Sequence, residues 1–293
     1  MDRKAGITLP IRRRTLPVEI NRISEAGRCC YKWRILSVTA LKLIAVVLMF
    51  LDHIHQMFAA VGAPMWLTAA GRLVFPMFLF AASESFHYTH SKKGYLKRLL
   101  FASWGMTFFT FILQWVVPHE GVVLINNAFS TFFVTGLYML FWDWFKEGIR
   151  HKSLRKIIKA FLCCFIPVIS ALPIYLVALL SFQENVPASA IRLLASVALL
   201  IPNILTVEGG FSLVVLGVLF YVFRKRRTLQ IAILLLLSTV VYLAGDSIQC
   251  FMGFAAIPIA LYNGERGKGM KNFFYIFYPV HIGLLYIISA FIV

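Results

Sequence analysis

The sequence predicts an all-α polytopic integral membrane protein, a bundle of about 9–10 transmembrane helices that includes one re-entrant or interfacial segment. Three observations carry that expectation. The hydrophobic share is 60% and the mean hydropathy +0.81, where a soluble domain averages about 45–50% apolar residues. Several apolar runs reach roughly 20 residues, enough to cross a hydrocarbon core of about 30 Å. Finally, Lys and Arg collect in an N-terminal tail and a few short loops, which is the positive-inside pattern.

That placement also explains the net charge of +17. Cations confined to one side of a membrane protein favour anionic membrane lipids, and nucleic acid is not an expected partner. The five cysteines fall as Cys29–Cys30, Cys163–Cys164 and a lone Cys250. Adjacent cysteines rarely bridge each other and no metal-type spacing is present, so unpaired thiols and no metal site are expected.

In order along the chain, residues 1–35 carry nine Lys/Arg and two prolines without a sustained period. They read as a basic cytoplasmic tail preceding a membrane domain over 36–293, and no cleavable signal peptide is expected. A first span, about 36–60, ends in the uncharged VGAP turn. A second covers 66–88 and a third, after the basic HSKKGYLKR, covers 97–117. A fourth follows VPHEGVVLINN at 128–145, and a fifth follows KEGIRHKSLRKIIK at 160–182. Residues 189–205, interrupted by Pro202 and Asn203, read as the re-entrant or interfacial segment. A full crossing there would put the RKRR at 224–227 on the wrong side. Further spans are expected at 209–223, 228–244, 247–262 and 272–292, with the N-terminus inside and the C-terminus outside.

Ionisable residues within these apolar runs are costly and mark functional candidates. In 41–58 (LKLIAVVLMFLDHIHQMF), Lys42 and His53 are eleven residues apart. Eleven helical steps of 100° overshoot three full turns by only ~20°, so both point the same way, roughly 16 Å apart along the axis. Depth at 1.5 Å per residue places Arg72 near the level of Asp52 and Glu84 near that of Lys42, giving two candidate ion pairs. Such pairs can equally serve only to lock helices together. His53 is harder to assign to a lock, and Asp52, about 100° around the helix, is poorly placed to orient it. His281, preceded by Tyr278 and Pro279, also reaches mid-membrane. It reads either as a satisfied core imidazole or as a partner in function. The loop NGERGKGMK combines Asn263, Arg266, Lys268 and Lys271 with three glycines. It suits a phosphate-bearing ligand or an ordinary basic connection. Glu208–Gly209–Gly210 either opens a span or lines a cavity, and Asn126–Asn127 caps the fourth span.

The segments LKLIAVVLMFLDHIHQMF, GRLVFPMFLFAASESFHYTHSKKGYLKRLL, LTVEGGF and LYNGERGKGMKNFFYIFYPVHIGLLY together resemble the TraX family, whose namesake is a membrane protein implicated in N-terminal acetylation of pilin. The Lys42-x10-His53 spacing is also similar to a helix-one signature of the acyltransferase-3 family. The resemblance implies a bacterial inner-membrane acetyltransferase. Acetyl-CoA would dock at the cytoplasmic side through Arg266, Lys268, Lys271, Asn263, Lys97 and Arg98. His53, Lys42, Asp52 and His281 would form the catalytic group, with Arg72, Glu84 and Tyr278 on the substrate side. The acceptor would be a peptide, sugar or lipid. A transporter or flippase using the buried charges, or a non-catalytic envelope or pilus assembly factor, are the other expectations.

Overall fold

The computed structural model describes residues 34–119, 121–183 and 185–292, leaving out the side chain of Lys271; the predicted tail therefore lies almost wholly outside the described residues. The first helix, α1 (Val38–Phe58), starts where Ser37 accepts a hydrogen bond from the Ala40 amide, a side-chain N-cap. Leu41, Ala45, Met49, His53 and Met57, each four residues on, are all buried, while Leu43, Ile44 and Val47 are exposed. One stripe thus meets protein and the other is left for lipid.

The expected second span is α2 (Trp66–Gly71) followed by α3 (Val74–Tyr88), with a jog at Arg72 and Leu73. Pro76 has no amide to offer the Arg72 carbonyl, so the regular ladder cannot run through this point. Next come α4 (Lys92–Val116) and α5 (Ala128–Arg150), both longer than the apolar runs alone suggested. The fifth expected span is a succession of α6 (Leu154–Cys163), α7 (Ile166–Ile169) and α8 (Leu172–Leu180), with prolines near the starts of the last two.

Helix α9 (Ala188–Ala198) has 11 residues, about 16 Å, or half a hydrocarbon core. After it the chain turns at Asn203, whose Oδ1 accepts from the amides of Leu205 and Thr206. A short helix and a buried turn thus occupy the stretch 189–205, for which a re-entrant or interfacial segment was expected. Helices α10 (Gly210–Val222) and α11 (Arg227–Leu243) follow. The expected span at 247–262 is a 3-10 segment, Gln249–Ala255, running into α12 (Ala256–Ala260), and α13 (Lys271–Ile292) closes the chain. Five helical segments are long and apolar enough to cross a membrane: Val38–Val61, Trp66–Tyr88, Lys92–Val116, Leu154–Leu180 and Asn272–Ile292. Shorter apolar helices and the longer, more polar α5 complete the all-helical bundle.

Helix α1 divides the interior. Val38, Leu41 and Ala45 pack with Leu79, Phe80, Leu216, Phe220 and Tyr262 in one core cluster. Val46, Met49 and Met57 pack with Met106, Tyr278, Ile282 and Tyr286 in a second. Where α3, α5 and α10 meet, Gly217 lets the helices approach: a Cβ there would lie 2.7 Å from Thr135 Cγ2 and 2.9 Å from Leu79 Cδ2. Gly217→Val should therefore cost about 1–3 kcal/mol by overpacking, read as a lower unfolding temperature in detergent. Gly105→Ala, with nothing within 4 Å of the added carbon, should not lower it.

Candidate functional site

A cavity of about 650 Å3 lies between α1, α3, α4, α5 and α13, and the 266–270 loop borders its mouth. Ligand cavities typically run from about 300 to 1,000 Å3. Its wall changes character along α1. Near the start of the helix it is cationic, with Lys42, Arg98, Arg266 and Lys268. Phe75, Phe78, Phe129, Phe132 and Phe274 line the middle. Asp52, His53, Glu208 and Tyr278 lie at the far end. From Thr39 to His53 the helix rises roughly 21 Å, so the cavity is a deep channel rather than a surface dish.

The loop at the cationic mouth is stitched to α1. The Val38 and Thr39 amides donate to the Glu265 and Arg266 carbonyls at 2.9 and 3.2 Å. Thr39 Oγ1 donates to the carbonyls of Arg266 and Lys268 at 3.0 and 2.7 Å. These contacts occupy the helix-start amides, leaving the cationic side chains to meet a ligand. Arg266 is steadied over the Tyr88 ring, 4.8 Å from its centroid, while its Nη2 donates to the Tyr88 carbonyl. Of the other residues expected here, Asn263 turns into its own loop, its Oδ1 accepting from the Glu265 amide at 2.8 Å and its Nδ2 donating to Glu265 Oε2. Lys97 is exposed and off the cavity wall. The side chain of Lys271 lies outside the described residues.

At the deep end, His53 and His281 are both buried, and His53 Nδ1 lies 2.7 Å from His281 Nε2. The tautomers follow from a chain of partners. His281 Nδ1 is 2.7 Å from the Phe277 carbonyl, which can only accept, so that nitrogen carries the proton. With both rings neutral, His281 Nε2 then accepts from His53 Nδ1–H, and His53 Nε2 keeps a lone pair. That nitrogen has only a long contact, 3.4 Å, with Asn126 Nδ2. Asn126 is held by a reciprocal amide pair with Gln56, at 2.9 and 3.1 Å. His53 lines the cavity, whereas His281 supports it from behind, stacked on Phe277 at 4.6 Å.

The expected Asp52–Arg72 ion pair is present at 3.5 Å. Thr68 Oγ1 donates to Asp52 Oδ1 at 2.8 Å, and Arg72 Nη1 donates to Gln249 Oε1 at 3.2 Å. The expected Lys42–Glu84 pair is corrected. Lys42 Nζ instead donates to Ser85 Oγ at 3.4 Å and lies 5.6 Å from the Phe274 centroid. Glu84 Oε2 accepts from the Tyr262 hydroxyl at 3.2 Å, with Arg227 close by. Equal depth did not mean facing sides, because the azimuth of α3 was not fixed by depth.

Glu208 has a larger place than the sequence suggested. It stands in the irregular stretch before α10, followed by Gly209 and Gly210 with φ of +81° and +75°. Thr131 Oγ1 donates to its carbonyl at 3.0 Å. Its Oε2 accepts from the Asn127 amide at 2.9 Å and the Tyr278 hydroxyl at 3.0 Å. Among the described residues no cation pairs with it. The signal was in the sequence: a carboxylate in an apolar context just before two glycines. Asn127 also caps α5, accepting from Ser130. No group of three or more His, Cys, Asp or Glu side chains suited to a metal forms among the described residues.

The sequence profile described as TraX protein matches residues 37–182 and 167–289. The chain belongs to the TraX family. It is also 26% identical over 267 residues to "Probable fimbrial assembly protein FimC, serogroup H1" of Dichelobacter nodosus, covering 85% of this chain and 94% of that protein. No solved structure matches. The TraX match includes every residue that lines the cavity.

Within this TraX-family cavity, Gly267 (φ +72°) faces α1 so closely that a Cβ would lie 2.5 Å from Ser37 Oγ and 2.9 Å from Thr39 Oγ1. Gly267→Ala should unseat the loop. The expected readout is faster tryptic cleavage after Arg266 and Lys268 in detergent-solubilised protein, with helicity unchanged.

Proposed function

We propose that this TraX-family protein is a membrane-embedded acetyltransferase that moves an acetyl group from cytoplasmic acetyl-CoA to an acceptor at or across the membrane. The observation that carries the reading is one cavity with four cations at its mouth and His53, whose Nε2 keeps its lone pair, at its deep end. An acyl-CoA has matching chemistry: anionic phosphates at one end, a long uncharged arm and a reactive thioester at the other. Lys42, Arg98, Arg266 and Lys268 would meet the phosphates and the upper arm, and the aromatic middle would exclude water. His53 would meet the acyl carbon through Nε2, a role open to a neutral imidazole. His281 is a positioning residue that fixes the tautomer, as the orienting partner does in other His-based sites. Asp52 with Arg72 fixes the charge beside it. In this reading the N-terminus and the basic loops face the cytoplasm of a bacterial inner membrane.

The fimbrial assembly relative favours a place in pilus or envelope assembly, which also allows a non-catalytic role. A carrier would use the same cavity without consuming acyl-CoA. Acetyl-CoA turnover by the purified protein separates these readings. His53→Ala should lower turnover about 100-fold or more, and Lys42→Ala should weaken donor use. Activity near the parent's in both variants would sink the assignment. Normal pilus or envelope assembly in cells carrying His53→Ala, with normal protein levels, would favour the non-catalytic role.

A further inference from the structure

We infer that the acetyl group passes through His53 as a covalent N-acetylimidazole, and that Glu208 is the base that draws the acceptor onto it. The inference rests on the acetyl-CoA reading and adds to it a reaction path and a catalytic residue.

Two features of the geometry point this way. First, the histidine pair suits a nucleophile whose other nitrogen must lose a proton. His53 lines the cavity and its Nε2 holds the lone pair, with a long 3.4 Å contact to Asn126 Nδ2, while Nδ1 is 2.7 Å from the accepting Nε2 of His281. Attack of Nε2 on the thioester carbonyl forms the N–C bond and breaks the C–S bond. CoA departs as its thiolate, past the ammonium of Lys42 on the same wall. The Nδ1 proton moves to His281 Nε2, leaving a neutral acetylimidazole and an imidazolium whose Nδ1–H is already held by the Phe277 carbonyl. A general base at Nε2 would use the same receiver; what separates the covalent path is that it exchanges CoA without an acceptor.

Second, Glu208 is placed for the return half. Glu208 lines the same cavity end, and among the described residues no cation pairs with its carboxylate, an expensive arrangement in an apolar bundle. Tyr278, which fixes its Oε2, lies one helical turn before His281 on α13, and Asn126, in contact with His53 Nε2, sits close to Glu208 as well. The carboxylate and the acyl-bearing nitrogen thus border one space. An acceptor X–H entering it loses its proton to Glu208 as X bonds the acetyl carbon and the C–N bond to His53 breaks. The His281 proton returns to His53 Nδ1, and Glu208 releases the acceptor's proton to solvent.

The path predicts a donor half-reaction that needs no acceptor. Purified protein should exchange labelled CoA into acetyl-CoA with no acceptor added. His53→Ala should abolish the exchange and His281→Phe should slow it about 100-fold. Glu208→Gln should retain exchange and hold acetyl label on the protein. In native membranes, where the acceptor is present, the same variant should transfer acetyl from labelled acetyl-CoA about 100-fold more slowly. Binding of CoA, measured by calorimetry, separates the levels of failure. No binding overturns the donor reading itself. Binding without exchange in the parent overturns the covalent step. Loss of exchange in Glu208→Gln, or unimpaired transfer in membranes, overturns the role given to Glu208.

Discussion

The contact on which the candidate site depends is the 2.7 Å bridge between His53 on α1 and His281 on α13. Two imidazoles away from water must satisfy four ring nitrogens without solvent. Here the Phe277 carbonyl fixes one proton, the ring-to-ring contact fixes the second, and the Asn126–Gln56 amide pair stands at the open nitrogen. The directionality of that chain comes from one fact, that a backbone carbonyl cannot donate. The same contact ties α1 to α13 across the second core cluster, so the polar site and the apolar packing constrain each other.

The rest of the cavity repeats this economy. Glu84, Asp52 and Glu208 each have hydroxyl or amide donors from another segment of the chain. Each such bond lowers the cost of a carboxylate in an apolar bundle and ties two segments of the chain together. The carboxylates nevertheless differ in kind. Asp52 has Arg72 and Glu84 has Arg227 nearby, whereas Glu208 has neutral donors alone. Charge without a counter-charge, facing a cavity, is what separates a reactive group from a structural lock.

Much of this was legible from residues alone, for physical reasons. Apolar run length gave the helices, because the backbone in lipid has few alternatives to helix. The face arithmetic for Lys42 and His53 needed only the 100° step, and both line one cavity. The jog at Arg72 and Leu73 was available in principle from Pro76. What the sequence could not supply was rotation about each helix axis, which decides whether groups at one depth face each other. Asp52 and Arg72 do, and Lys42 and Glu84 do not. Nor could spacing reveal that Glu208 meets Tyr278, seventy residues away, since that contact depends on how an irregular loop folds back into the bundle.

The failed Lys42–Glu84 pairing says more about the cavity than a salt bridge would have. An ammonium paired with a carboxylate is neutralised and has little left to offer a ligand. Lys42 has a long hydroxyl contact and an aromatic face instead, both of which leave its charge in place. Glu84, meanwhile, is turned to Tyr262 and forms no ion pair with Lys42. Burying such a charge is costly without a partner, and among the described residues no ion pair forms with Lys42 or with Arg98, Arg266 and Lys268 on the same wall. The deficit has a definite sign, and it lies on the same cavity wall that leads along α1 to His53.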